Sequence, residues 1–229
     1  MKVTRKITCP DCSLKCDIYK TMSAAQMDFA LANAIHAKFR RHELICKQGC
    51  NVSHAIYLVR GTAKFYIEGL NNRNIILYLM KPPAYIGLLS FFESVHYSYS
   101  VAALEECEVC MIDLQFLKKL YIEQHELLLK LNKAFGKSVT NIMKKIISLN
   151  QKQIRGRVAE SLIYMSEFYD SEEFDLPLTR KELGELSGIS EENAVRLLSE
   201  FRQENIIESN GRHIVIQDMR LLRKISDLG

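Results

Sequence analysis

Residues 178–198 read LTRKELGELSGISEENAVRLL, and this stretch predicts two capped helices joined by a short turn. Thr179 with Glu182 three residues later forms a capping box, so we expect the first helix to begin there. Gly188 supplies the left-handed residue that ends this helix. Ser190 then caps the second helix, whose apolar face is predicted to consist of Ala194, Leu197, Leu198 and Phe201. Two helices joined by a turn of this length are typical of a helix-turn-helix.

The residues after the second helix predict a wing. Ile206–Ile216 contains two β runs around the dipeptide Asn210-Gly211, which is a strong hairpin signal. A plain helical hairpin is the commoner structure, but a helix-turn-helix followed by a β-hairpin is a much rarer combination. We therefore predict that residues 151–229 form a winged helix-turn-helix that places its second helix in the major groove of double-stranded DNA.

Glu192 and Arg196 are candidates for reading bases because they lie four residues apart, on one face of the second helix. An arginine can donate two hydrogen bonds to guanine, and a glutamate can accept one from cytosine N4. Val195 can contact a thymine methyl group. The alternative for Glu192 and Arg196 is a surface ion pair. Phosphate contacts are expected from four further side chains, Ser190, Asn193, Arg180 and Arg212.

Overall charge is a weak guide to this function. The chain of 229 residues has a net charge of +4, but residues 151–229 hold 15 Asp and Glu against 11 Lys and Arg. Attraction to phosphate must therefore come from locally placed cations. The hydrophobic content of 48% suits a globular protein. With no apolar run of about 18 residues and no signal-peptide core, we expect a cytoplasmic protein without a membrane partner.

The first half of the chain predicts a different architecture. Residues 1–20 form a cysteine-bearing arm, and Thr21 to about Arg41 has apolar residues at helical spacing. Short strands and glycine turns follow from Leu44 to about Leu114, with two of the strands separated at Gly61, and this pattern is typical of a jelly roll. We therefore assign residues 21–120 to a β-roll.

Residues 121–150 predict a long dimerisation helix. Its apolar positions recur at heptad spacing, which gives a narrow a/d seam. A helix packed on its own domain is the alternative, but a narrow seam favours self-association. The seam residues are Leu128, Phe135, Val139, Ile142, Ile146 and Leu149. Asn132 falls at an a position of the same seam, where a polar residue can fix the register of the pair.

An α+β chain with a β-roll, a dimerisation helix and a winged helix-turn-helix, in that order, resembles the Crp/Fnr family of bacterial transcription regulators. The resemblance is most specific at Tyr57–Gly61, Tyr85–Glu93 and the helix-turn-helix with its wing. It implies a homodimer that binds a palindromic operator with TGA-like half-sites, and RNA polymerase as a further partner. We find no catalytic triad, phosphate loop or zinc-protease motif, so we expect no enzyme activity.

The resemblance also bears on the signal that the roll detects. In the cyclic-AMP receptors a glutamate follows the glycine corresponding to Gly87, and an Arg-Ser pair clamps the phosphate. Here these positions hold Leu88, and Ser98 followed by Tyr99. The absence of these charge-assisted hydrogen bonds argues against cyclic AMP as the ligand. A small effector bound near Gly87, Leu88, Tyr97, Ser98 and Tyr99 remains an alternative.

The cysteines suggest another signal. Cys9, Cys12 and Cys16 form a Cys-x2-Cys-x3-Cys arm, which can hold a soft metal centre but lacks a fourth ligand. The Fnr-like oxygen sensors hold a [4Fe–4S] cluster with such an arm and one distant cysteine, and Cys110 matches that position. Their arm has a longer final gap. A zinc site with the same four ligands, a thiol switch and an arm without metal therefore stay open as alternatives.

Overall fold

The structure is a computed structural model and describes residues 2–3, 22–91 and 95–229. The chain divides into two compact units. The first comprises residues 1–68 and 79–140, and the second comprises residues 69–78 and 141–229.

Two antiparallel sheets form the roll. The first nine strands are β1 (Lys2–Val3), β2 (Ile35–Phe39), β3 (Leu44–Cys46), β4 (His54–Arg60), β5 (Ala63–Ile67), β6 (Ile75–Met80), β7 (Ala84–Ile86), β8 (Ser100–Ala103) and β9 (Cys107–Asp113). One sheet has the order β1-β2-β9-β4-β7, and the other has the order β3-β8-β5-β6. Strand β9 therefore lies at the centre of the larger sheet.

Gly61 explains why β4 ends and β5 begins where the sequence predicted a break. Its φ is +88°, and a Cβ atom there would lie 2.4 Å from the carbonyl oxygen of Glu106. Neither the conformation nor the space suits a side chain, so only glycine allows this close approach. The neighbouring Cys107 is fully buried and donates its thiol hydrogen to the carbonyl of Thr62 at 3.3 Å.

The predicted helix from Thr21 to Arg41 is wrong in its second half. Helix α1 spans Ala24–Asn33 and begins with a capping box between Ser23 and Gln26. The chain then becomes β2, which pairs with β9. The apolar residues of β2 alternate, so that Ala37 and Phe39 are both buried. This period of two overrides the four-residue spacing that suggested a continuing helix.

The roll also contains a short helix, α2 (Leu88–Phe91). The long helix after the roll is preceded by a shorter one. Helix α3 spans Leu114–Glu123 and is capped by Asp113. Gln124 is extended and breaks the helical path before α4, which spans His125–Gln151. Among the residues that the structure describes, none of the helices combines the length and the apolarity needed to cross a membrane.

The C-terminal elements form a winged helix-turn-helix. They are α5 (Ile154–Tyr169), β10 (Glu173–Asp175), α6 (Arg180–Ser187), α7 (Glu191–Gln203), β11 (Ile207–Asn210), β12 (His213–Ile216) and α8 (Met219–Leu228). The three strands form an antiparallel sheet with the order β10-β12-β11. The sequence predicted α6, α7 and the hairpin but neither β10 nor α8.

The helix-turn-helix has the local geometry that its sequence predicts. The Thr179 hydroxyl and the Glu182 side chain form a capping box at the start of α6. Gly188 ends this helix with a φ of +65°. A Cβ atom on Gly184 would lie 2.9 Å from the carbonyl oxygen of Ile189, so α6 and the turn pack more closely than an alanine allows. The turn from Gly188 to Ser190 is therefore tight and fixed.

Lys145 joins α4 to this motif. Its ammonium donates a hydrogen bond to the carbonyl oxygen of Leu186 in the last turn of α6. Burial lowers the pKa of Lys145 to about 8, with the Glu160 carboxylate opposing this shift and Arg157 adding to it. The lysine therefore satisfies a helix-end carbonyl but carries its charge in a poorly hydrated place.

The buried lysine predicts a pH-dependent gain in stability. Because the pKa is about 8 in the folded chain and 10.5 in its ordinary state, the folded protein loses this proton first as pH rises. The unfolded chain then binds more protons, so the free energy of unfolding rises with pH between these values. We expect the free energy of unfolding of the wild type, measured with urea, to rise relative to that of Lys145→Met by roughly 3 kcal/mol across this pH window.

Lys144→Met is the control for this measurement, because Lys144 is the neighbouring residue and is exposed. We expect no comparable pH-dependent gain there. If the free energies of unfolding of the wild type and Lys145→Met differ by the same amount at every pH from 7 to 10.5, Lys145 is not a buried charge with a lowered pKa.

Candidate nucleic-acid interface

Helix α7 presents one apolar and one polar face. Ser190 caps it by accepting a hydrogen bond from the Asn193 backbone N–H at 3.3 Å. The buried face consists of Ala194, Leu197, Leu198 and Phe201. Glu192, Val195 and Arg196 lie on the exposed side, with Val195 49% exposed. The packing of α7 therefore leaves the proposed base-reading residues facing solvent.

Arg196 does not pair with Glu192, which was the alternative to base reading. Its guanidinium instead pairs with Glu200, one turn further along α7, and donates to Asn193 Oδ1 at 3.3 Å. Glu192 accepts hydrogen bonds from its own backbone N–H and from the Ser190 hydroxyl, and both lower its pKa. The Glu192 carboxylate is thus kept ionised near the positive end of the helix and remains an acceptor.

The wing is a two-residue hairpin whose turn differs from the predicted one. Asn210 is still paired, opposite His213, so the turn consists of Gly211 and Arg212 rather than Asn210 and Gly211. Gly211 has a φ of +59°, as such a turn requires. Arg212 is exposed at the tip. Its place at the end of the wing suits a phosphate contact.

Arg180 is folded onto the wing. Its guanidinium donates to the Gly211 carbonyl and, at 3.4 Å, to the Ser209 hydroxyl. Burial, followed by the charge of Arg212, lowers the pKa of Arg180. The side chain predicted to contact phosphate thus ties the start of α6 to the wing turn in this structure.

Several acidic residues of the C-terminal domain are turned inward or paired. Glu182 and Glu185 are only 6% and 8% exposed, and the Glu182 carboxylate accepts from the Thr179 backbone N–H at 2.7 Å. On the wing, the His213 ring lies 3.1 Å from Asp175 and 3.3 Å from Glu173. The surplus of acidic residues counted in the sequence therefore does not translate into a uniformly acidic DNA-facing surface.

The residues proposed to line an effector pocket are mostly packed against each other. Leu88, Tyr97 and Tyr99 are buried, and Ser98 is exposed. The Tyr99 ring stacks on Phe65 at a centroid distance of 4.1 Å. Its hydroxyl accepts a hydrogen bond from the Gly87 backbone N–H at 2.7 Å. The backbone group that could bind an anion here is therefore already bonded to a tyrosine.

Two protein-family descriptions match these two parts of the chain. A Crp-like helix-turn-helix domain matches residues 156–225, and a cyclic nucleotide-binding domain matches residues 36–124. The chain belongs to the Crp/Fnr family. It is accordingly a DNA-binding transcription regulator of the Crp/Fnr type and not an enzyme.

Relatives in the family match nearly the whole chain. The cAMP-activated global transcriptional regulator CRP of Salmonella typhimurium is 23% identical over 206 residues, which are 88% of this chain and 98% of that protein. The transcriptional activator protein FnrA of Stutzerimonas stutzeri is 24% identical over 226 residues, 95% and 92% of the two chains. A Crp/Fnr regulator from Eubacterium rectale shares the fold with a TM-score of 0.77, at 18% identity, over 92% of this chain and 97% of that one.

Helix α4 of this Crp/Fnr regulator has a partly uncovered apolar stripe. Ile146 is 59% exposed, and Met143 and Ile147 beside it are also exposed. The other predicted seam residues, Leu128, Phe135, Val139, Ile142 and Leu149, are half-buried in the single chain. Leu149 packs closely against Gly188 of the helix-turn-helix. Asn132, predicted at a seam position, accepts a hydrogen bond from the Tyr121 hydroxyl at 3.0 Å.

The cysteine arm can be tested only in part. Cys9, Cys12 and Cys16 lie outside the described residues. Cys110 is 3% exposed on β9, between His36 of β2 and Tyr57 of β4. Within the described part of the chain, no group of three or more His, Cys, Asp or Glu residues is arranged to hold a metal ion. The four proposed cluster ligands thus stay a prediction.

Sequence reasoning missed two features of the interface. It considered Glu192 as the partner of Arg196 but not Glu200, although Glu200 also lies four residues away. It also missed Arg155 of α5, which pairs with Glu200 at 3.3 Å and with Glu204 at 2.6 Å. The helical spacing from Arg196 could have indicated the first contact. The second contact joins residues far apart in sequence and had no local signal.

Proposed function

We propose that this regulator acts as a dimer that reads TGA-like half-sites of a palindromic operator and is switched by a redox- or gas-sensitive centre. The observation that carries this proposal is the placement of Arg196 and Glu192 side by side on the exposed face of a capped helix. RNA polymerase is the expected protein partner of such a regulator.

The chemistry of the two side chains supports base reading. An arginine can donate two hydrogen bonds to guanine O6 and N7, and an ionised glutamate can accept from the N4 amino group of cytosine. Helix α7 carries both groups in its N-terminal half, one turn apart. Val195 lies beside them and offers a methyl contact to thymine. Ser190, Asn193 and Arg212 are available to phosphate.

We expect Arg196→Ala to weaken binding to a selected operator by ~1–3 kcal/mol, with relaxed specificity at one guanine per half-site. The loss follows from removal of a bidentate base contact. The measurement is fluorescence anisotropy with a duplex selected from a random library, and with the same duplex altered at single bases.

Arg202→Ala is the matched control, because Arg202 is an exposed arginine in the last turn of the same helix. It removes the same charge and should lower affinity for operator and random DNA alike. Equal losses on operator and random DNA for Arg196→Ala would contradict the base-reading role.

The exposed stripe of α4 supports a dimer. Leaving large apolar side chains such as Ile146 and Met143 in water is unfavourable, and pairing with a second copy of the helix would bury them. Heptad spacing of the seam suits such a pair. A two-fold dimer presents two recognition helices, which suits half-sites about 34–36 Å apart on the operator.

We expect Ile146→Lys to dissociate the dimer, because it places a charge in the apolar seam. Sedimentation velocity at micromolar concentration should show the 26.4 kDa monomer for this variant and twice that mass for wild type. Thr140→Lys adds the same charge at an exposed position of α4 away from the seam, and should remain dimeric. Identical sedimentation of all three proteins would contradict a dimer formed through the seam of α4.

The surroundings of Cys110 support a metal centre built from the arm. Strand β1, at the start of the arm, pairs with β2, which pairs with β9, the strand that carries Cys110. Helix α1 follows the arm and packs against β9. The described residues on one side of the three arm cysteines therefore lie in the same sheet as β9, and those on the other side contact β9 directly. Four thiolates would suit an iron–sulfur cluster, which supplies redox and gas reactivity, or a structural zinc ion.

We expect protein purified without oxygen to contain iron and acid-labile sulfide and to absorb visible light, and Cys110→Ser to lose both elements. Cys107→Ser is the control, since Cys107 lies on the same strand. Burial raises its pKa to about 12, so its thiol stays protonated and is a poor ligand.

Three outcomes would contradict a cluster held by the arm and Cys110. Colourless, iron-free protein that still binds the operator tightly would exclude it. Zinc at one equivalent in place of iron would favour the zinc site. Equal iron loss in the Cys107 and Cys110 variants would show that Cys110 is not a specific ligand.

A further inference from the structure

The Arg196 guanidinium donates hydrogen bonds to two residues of its own helix, one before it and one after it in the sequence. Its Nη1 donates to the carboxylate of Glu200, and its Nη2 donates to Asn193 Oδ1 at 3.3 Å. A guanidinium is planar, and its five hydrogens point in fixed directions. Two acceptors on opposite sides therefore fix the orientation of its plane, and the remaining hydrogens stay available. The side chain is 52% exposed, so another acceptor can reach them.

Glu200 is itself fixed by a different helix. Arg155 of α5 donates to Glu200 at 3.3 Å and to Glu204 at 2.6 Å. The Arg155 guanidinium also lies over the ring of Phe201, 4.9 Å from its centre. A carboxylate that accepts a hydrogen bond from a neighbouring helix can adopt few orientations. Its hold on Arg196 is therefore more defined than that of an isolated surface pair.

We propose that Glu200, supported by Arg155, is a positioning residue that sets the specificity of Arg196 for guanine. This inference rests on the proposed base-reading function of Arg196. Holding the guanidinium plane in advance reduces the rotamer entropy that is lost when it binds a base edge.

The charge of Glu200 should also discriminate against random DNA. A guanidinium that turns toward a phosphate must leave the Glu200 carboxylate, which then faces the phosphate as an unpaired like charge. A guanine edge can instead bind the remaining hydrogens while the Glu200 contact persists. Specificity of this kind arises from a penalty on the wrong complex as well as from contacts in the right one.

Glu200→Ala and Glu204→Ala form a matched pair for the test. Each removes one carboxylate that contacts Arg155, but only Glu200 contacts Arg196. Both side chains are at least one-third exposed, so both variants are expected to fold, which circular dichroism would verify. Glu200→Gln keeps an acceptor oxygen for Arg196 and removes the charge.

The measurement is the dissociation constant for three duplexes: the selected operator, the operator with the Arg196-dependent guanine replaced, and a random sequence. We expect Glu200→Ala to reduce discrimination against the replaced base by about tenfold and to bind random DNA more tightly. Glu204→Ala should tighten binding to all three duplexes and leave discrimination unchanged. Glu200→Gln should retain most of the discrimination against the replaced base, because it keeps an acceptor for Arg196, but should bind random DNA more tightly, because it has lost the charge.

Two results would overturn the inference: equal discrimination by the two alanine variants, or Glu200→Gln discriminating as poorly as Glu200→Ala. Failure of the base-reading function itself gives a different pattern. In that case wild type and Arg196→Ala would discriminate equally, whatever the Glu200 variants do.

Discussion

The close approach of α6 to the turn before α7 is the constraint on which the DNA-reading surface depends. Gly184 permits it, since any Cβ atom would press on the Ile189 carbonyl at 2.9 Å. The turn is held from other directions as well. Arg157 of α5 donates to the Gly188 carbonyl at 3.1 Å, and Lys145 of α4 bonds the last turn of α6. With this corner fixed, the apolar face of α7 must turn inward, and its polar face is presented to solvent.

Fixed carboxylates then determine how an acidic domain can bind DNA. Glu182 completes a helix cap, and Glu200 pairs with both Arg155 and Arg196. These negative charges have internal partners, and exposed cations such as Arg212 stand at the tip of the wing. The exposed positive charge of this domain is therefore local, and the net charge of the domain is a poor guide to it.

In the roll, too, polar groups near Gly87 that could bind a ligand form hydrogen bonds within the protein. The Tyr99 hydroxyl bonds the Gly87 N–H, and its ring stacks on Phe65. The Tyr97 hydroxyl donates to the carbonyl of His54 at 3.4 Å. The Gly87 N–H and the Tyr97 hydroxyl therefore already have hydrogen-bond partners within the roll.

Local sequence by itself determined the capped helices, the glycine turn and the buried face of α7, because each depends on residues a few positions apart. The break at Gly61 was predictable for the same reason. The end of α1, strand β10 and the position of the wing turn were not, because pairing with β9 or β12 decided them. The ion-pair partner of Arg196 also depends on the tertiary structure. Glu192 and Glu200 both lie four residues from Arg196 along the helix, but Arg155, from a helix distant in sequence, contacts only Glu200.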